Sequence, residues 1–374
     1  MDKSDFARAV QILRNRQIMF NTTANNEAVE DTFIQSKKLM LSLGQRSEGD
    51  VEKSEKYYRQ EFLKYPLLTE YENTYCNWIL NDILNILYEA RKHIKCDDEG
   101  VSLDFELPII GSVNFGFYDA RAVNDDGAKV VLISRSLLTF TACLATIVAQ
   151  SSLNQSHGLS NEYINQYFVD ISTAFHLFYP YLGRVFYRER ERDVANISKR
   201  CPITDWTACL MGEQLSVTSH LFVVAHEYSH LILNHPFKKI SVEKCREDEQ
   251  EADELAGLLC GIIISILKKD KYPFSFIGLA FAVRTLDLIH DIMSIFREKK
   301  WDPNVDIYPL NRTSVVADVM QRFKVYDKNT IEITKFMLYD INRLWLENEN
   351  QIKYFINKYE NGLSYEEIQK LIYE

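Results

Sequence analysis

His226 and His230 stand four residues apart inside a fifteen-residue stretch, Leu221 to His235, whose other residues are mostly apolar. No other part of the chain restricts the fold as strongly. The periodicity predicts a helix from about residue 205 to residue 235, with Asp205 able to cap its start and Pro236 stopping it. On such a helix, positions i and i+4 lie about 40° apart around the axis and roughly 6 Å apart along it. Both imidazoles therefore leave one face, and helical spacing extends that face through Leu215, Phe222 and Leu233, so it points into the core. Two imidazoles buried side by side without a partner are costly. A zinc ion that takes one nitrogen lone pair from each removes the cost. Glu227 is offset by about 100° from His226, which suits a base that reaches a metal-bound water without ligating the metal.

A tetrahedral catalytic zinc needs one more protein ligand and an open position. The acidic run Arg246-Glu-Asp-Glu-Gln-Glu-Ala-Asp-Glu-Leu-Ala-Gly257 opens a second predicted helix, over about 246–268. Acidic residues favour a helix N-terminus in any case, so periodicity must separate the candidates. Glu249 is in phase with the apolar residues Ala256, Cys260, Ile263 and Leu267, and Asp253 shares that face. Glu247 points off the stripe, and Glu251 lies nearly opposite it. Glu249 is thus the expected third ligand. Asp253 is the expected carboxylate behind it, holding a ligand histidine in the right tautomer. Ala252 and Ala256 are small enough to let this helix approach the first closely.

His235 lies about 180° from His226 while the helix continues, so it is expected to cap the helix C-terminus rather than bind the same ion. His220 is off the ligand face and reads as structural.

The remaining chain supplies scaffold. The expected fold class is α+β and mainly helical, with a small β-sheet or hairpin and helical flanking regions. Residues 1–100 form an N-terminal helical region, 101–328 the central domain and 329–374 a C-terminal pair of amphipathic helices. Gly44 to Lys56 is polar and reads as a loop. Residues 115–123 and 128–134 flank Asn124-Asp-Asp-Gly127, the pattern of a β-hairpin. Further helices are expected over 136–151, 161–199 and 280–296.

Composition narrows the function classes. A net charge of −10 argues against a nucleic-acid-binding surface. The basic stretch around Arg188 to Asp193 alternates in sign, as a solvated face does. The seven cysteines are odd in number and scattered without a Cys-x-x-Cys pair, which suits a reduced, cytoplasmic chain. The N-terminus shows no signal-peptide pattern, and the apolar run Leu255 to Leu267 is too short to span a bilayer, so no membrane partner is expected.

The box His226-Glu-Tyr-Ser-His230 followed by Glu249-x-x-x-Asp253 resembles the gluzincin class of zinc metallopeptidases. The similar shapes within it are the HtpX-like peptidases, the Lit-type phage-exclusion peptidases and the ImmA/IrrE-type regulators. In some of these a further histidine follows the box, as His235 does here. The resemblance covers about residues 115–312. It implies a zincin-like core, a zinc ion on His226, His230 and Glu249, and Glu227 as general base. It also implies an edge strand that pairs with a protein or peptide substrate. A His-Pro segment followed by Arg in several such peptidases is replaced here by Tyr308-Pro309 and Arg312. Tyr308 or His290 is then the expected donor to a developing oxyanion. The alternative expectation is a binding protein that keeps the fold with a structural metal or none.

Overall fold

The computed structural model describes residues 1–19, 22, 41, 47–94, 106–113, 120–153, 160–177, 206–235, 241–267, 274–297 and 312–373. In chain order, three helices come first: α1 (Lys3–Met19), α2 (Glu48–Phe62) and α3 (Thr74–Arg91). A small sheet follows, made of β1 (Ile109–Val113), β2 (Ala120–Asp125) and β3 (Ala128–Ser134). The remaining helices are α4 (Arg135–Leu153), α5 (Asn161–Leu177), α6 (Trp206–Ile232), α7 (Val242–Ile262, continued by a π-helical turn Ile263–Leu267), α8 (Phe276–Arg297), α9 (Arg312–Arg322), α10 (Lys328–Glu360) and α11 (Tyr365–Tyr373). The chain is mainly helical with one three-stranded sheet among the described residues, in line with the α+β expectation.

The sheet order is β1-β3-β2, with β1 parallel and β2 antiparallel to β3. The hairpin read from Asn124 to Gly127 forms there. Asp126 (φ 46°) and Gly127 (φ 94°) are its two central residues, both in the left-handed region that two-residue hairpin turns require. Of the predicted first strand, Ala120 is the first described residue, and 114–119 lie outside the described residues. β3 is the central strand, and period-two alternation gives it two buried faces. Val130 and Leu132 meet Ile109, Val113, Ala9 and Leu13 beneath α1. Val131 and Ile133 join the main helical core. Gly111 lets α1 approach, because a Cβ there would lie 2.5 Å from Leu13 Cδ1.

That main core draws on Trp78 and Leu87 near one end of the chain, Phe168, Phe222 and Phe281 in the middle, and Met337, Phe355 and Ile372 near the other end. At its centre runs α6, which packs against α3, α4, α7, α8, β2 and β3. It is apolar nearly all round, as a central helix must be: Leu221, Phe222, Val224, Ala225 and Tyr228 are fully buried. Among the described residues, Thr207–Ile232 is the one stretch long and apolar enough to cross a membrane, and 67% of its apolar window is buried inside the protein.

Several boundaries differ from expectation. Gly44–Lys56 is not all loop: Ser47 caps α2, its Oγ accepting from the Asp50 amide at 3.3 Å. α7 starts at Val242, four residues before the predicted start, because Ser241 caps it by accepting from the Lys244 amide. α6 ends at Ile232 instead of His235. There Asn234 adopts φ 53°, the His235 amide donates to the His230 carbonyl, and the Asn234 amide donates to the Leu231 carbonyl. This is a Schellman cap, with Asn in the left-handed position usually held by Gly. The proposed cap Asp205, the stop residue Pro236, and residues 178–199 of a predicted helix lie outside the described residues.

Candidate metal centre

α6 and α7 pack against each other, and Ala252 and Ala256 of α7 are fully buried. The close packing brings the two predicted ligand faces together. His226 Nε2 and His230 Nε2 are 3.1 Å apart. Glu249 reaches both, its Oε2 3.2 Å from His226 Nε2 and its Oε1 3.5 Å from His230 Nε2. One donor atom from each of the three residues falls within 4.8 Å of the others, an arrangement able to hold a metal ion. Glu227, next to His226 on α6, is 8% exposed.

Asp253, only 1% exposed, stands behind this group. The His226 Nδ1–H donates to its Oδ1 at 2.8 Å, so that in the neutral ring the Nε2 lone pair faces His230 and Glu249. Arg312, the first residue of α9, supplies the balancing charge. Its Nε is 3.1 Å from Asp253 Oδ2 and its Nη2 is 3.6 Å from Glu249 Oε2. Position 312 was noted in the sequence only for following Tyr308-Pro309, and its pairing to both carboxylates was not anticipated. Gly257 and Gly261 admit α9 this closely. A Cβ on Gly257 would lie 2.7 Å from Val315 Cγ1, and one on Gly261 would collide with the Phe323 ring.

The electrostatics follow from this packing. Burial would lower the His226 pKa, but Asp253 and Glu249 outweigh it and hold the ring up at about 10. Burial would likewise raise Glu249, yet His226, His230 and Arg312 bring it down to about 2. His230 is pushed down to about 3, first by burial and then by the neighbouring His226. Two carboxylates face one guanidinium here, so a further positive charge is favoured where the three side chains meet. A proton on His226 supplies it in one way and a divalent ion in another. The donor set of two imidazole nitrogens and one carboxylate fits a divalent ion such as zinc.

His235 stands at the helix C-terminus and outside the three-residue group, as its phase implies. The early end of α6 nevertheless folds it back, so that its ring meets His230 with centroids 5.0 Å apart. Glu251, read as lying opposite the ligand face, reaches His235 Nε2 at 3.1 Å. The missed signal is Asn234, a residue that tolerates the left-handed conformation. His220 is structural as expected, its Nε2 lying 3.1 Å from the Leu138 carbonyl and 3.0 Å from Thr141 Oγ1 of α4. Tyr308 lies outside the described residues, and although His290 belongs to α8, its side chain lies outside them too. No protein-family model, no curated protein and no solved structure matches the chain.

Proposed function

We propose that the chain is a zinc-dependent endopeptidase with a zincin-like core, acting on a protein or peptide substrate in the cytoplasm. The convergence of His226 Nε2, His230 Nε2 and the Glu249 carboxylate, with Asp253 fixing the His226 tautomer, is the observation that carries this reading. Zinc bound there would act as a Lewis acid on a substrate carbonyl and acidify a water. The other steps belong to the chain's own residues. Glu227 accepts a proton from the water as its oxygen bonds to the carbonyl carbon. It then returns that proton to the departing nitrogen as the carbon–nitrogen bond breaks. Asp253 and Arg312 keep His226 and Glu249 oriented throughout.

β2 supports a peptide substrate. It is an edge strand among the described residues and packs against α6, so an extended backbone can add to it as a fourth strand. The free thiols of Cys76, Cys143, Cys209, Cys245 and Cys260 suit a reducing compartment.

The test compares the wild-type chain with Glu227→Gln. Both are assayed for bound zinc and for new protein termini generated in a cell lysate, with and without chelator. We expect about one zinc in each protein, chelator-sensitive cleavage by the wild type, and a loss of at least about a hundredfold in the variant. A zinc-loaded wild type that cleaves nothing would favour the binding-protein alternative. Equal cleavage by both proteins would remove Glu227 from the reaction.

A further inference from the structure

We propose that His235 is a positioning residue that holds His230 in its metal-binding tautomer, and that the second histidine–carboxylate cluster therefore supports the first ion instead of binding another. The inference rests on the metal centre proposed above, and it concerns residues to which that reading gives no role.

Two groups of metal-ligating side chains occur among the described residues: His226, His230 and Glu249, and then His235, Asp248 and Glu251. By composition alone the second is as good a site as the first. Counting protons separates them. A neutral imidazole carries one N–H and one lone pair, and a carboxylate only accepts. His235 Nε2 faces Glu251 Oε2 at 3.1 Å and Asp248 Oδ1 at 3.9 Å, so this nitrogen bears the hydrogen. The lone pair of His235 is then on Nδ1, which lies 2.8 Å from His230 Nδ1. With both rings neutral, His230 donates across that contact. Its remaining lone pair sits on Nε2, directed at His226 and Glu249.

An ion in the second cluster would reverse every step. It would need the lone pair of His235 on Nε2 and the hydrogen on Nδ1. If His230 also bound the first ion through Nε2, two N–H groups would point at each other across 2.8 Å. Two ions are thus incompatible with neutral rings at these positions. The second cluster already has a cation as well, since Lys244 Nζ lies 2.9 Å from Asp248 Oδ1.

The backbone explains how His235 comes to this place. In the Schellman cap, the residue after the left-handed position packs on the residue that accepts its amide hydrogen, usually through an apolar contact. Here those residues are His235 and His230, so the helix terminus itself stacks the positioning ring on the ligand ring. The two ligand histidines then have matched support: Asp253 behind His226, and His235 backed by Glu251 behind His230.

The experiment uses the full chain and its variants His235→Ala, His235→Gln and Glu251→Gln. It measures zinc stoichiometry, zinc affinity by chelator competition, and the His230 tautomer by side-chain nitrogen NMR of the metal-free proteins. We expect one zinc per wild-type chain and a His230 hydrogen on Nδ1. His235→Ala should weaken zinc by about 10–100-fold, the usual cost of losing such a partner, and should abolish the tautomer preference. His235→Gln should recover part of both, because its amide oxygen can accept from the His230 Nδ1–H. Glu251→Gln changes a half-exposed side chain and keeps the test open if the alanine variant does not fold. Unchanged affinity and tautomer in all three variants, or two zinc ions on the wild type, would overturn the inference. A wild type that takes up no zinc would instead defeat the metal-centre reading, and the metal-free tautomer would still decide the role of His235.

Discussion

His220 and His226 lie on the same helix and face opposite protonation demands. Burial pushes His220 down to about 4, offset only in part by its hydrogen bond to the Leu138 carbonyl, so it stays neutral in the folded protein at pH values where an unfolded chain, near 6.5, is protonated. The folded-state pKa is the lower one. The stability is therefore fully present above pH 6.5 and is lost as the pH falls from 6.5 towards 4. The span corresponds to about 3 kcal/mol. A His220→Gln variant should show a shallower fall in urea midpoint over that window than the wild type, whatever its stability at neutral pH; identical slopes would assign the acid sensitivity to other groups. At this scale the sequence was legible where a residue's role follows from helical phase. His226, His230, Glu249 and Asp253 share a direction along regular helices, and phase alone brought them together. The pairing of His235 with His230 and Glu251 was not legible, because it depends on a helix end that one residue, Asn234, sets earlier than phase suggests.

The helices meet through contacts that only small residues permit. Gly257 and Gly261, one turn apart on α7, let α9 lie close enough for Arg312 to reach Asp253 and Glu249. Alanine at position 257 gains about 1 kcal/mol of helix propensity over glycine. It would also set a methyl group 2.7 Å from Val315 Cγ1, and relieving such overpacking costs about 1–3 kcal/mol. Gly257→Ala should therefore be destabilised in chemical denaturation and should bind zinc more weakly as Arg312 is displaced. Gly49→Ala, on α2 with only Ser47 Oγ within 4 Å, should be neutral or stabilised by up to about 1 kcal/mol. Equal effects at both sites would argue against the close α7–α9 contact as the determinant. The sequence showed that α7 was a helix but gave no sign of which helix its glycines face. Pairing of distant elements depends on shape, and shape is not written in the period of one segment. The hairpin, by contrast, was legible because Asp126 and Gly127 encode their turn locally.

Across the whole molecule, the proposed ion would join α6 to α7, two helices of a main core that gathers residues from Phe62 to Ile372. Binding to the folded state alone stabilises by mass action, by about 4 kcal/mol at a thousandfold excess over the dissociation constant. Zinc should therefore raise the thermal midpoint, chelator should lower it, and His226→Ala should show neither response. A midpoint indifferent to zinc in the wild type would mean that zinc does not bind the folded chain in preference to the unfolded one. The N-terminal region was expected to be packing without chemistry, but its particular task was not readable. α1 buries only Ala9, Leu13 and Gln17, a narrow stripe in which Gln17 is polar and donates to the Ser112 carbonyl of β1 at 3.0 Å. So thin an apolar face gives little periodic signal, although it closes one side of the sheet.

Arg312 comes from α9, later in the chain than every other residue that meets at the centre. A growing polypeptide thus places its imidazoles and carboxylates first and receives their counter-charge only once most of it has been made. A copy cut short ahead of that arginine would lack the counter-charge together with α10 and α11, whose Met337, Phe355 and Ile372 belong to the main core.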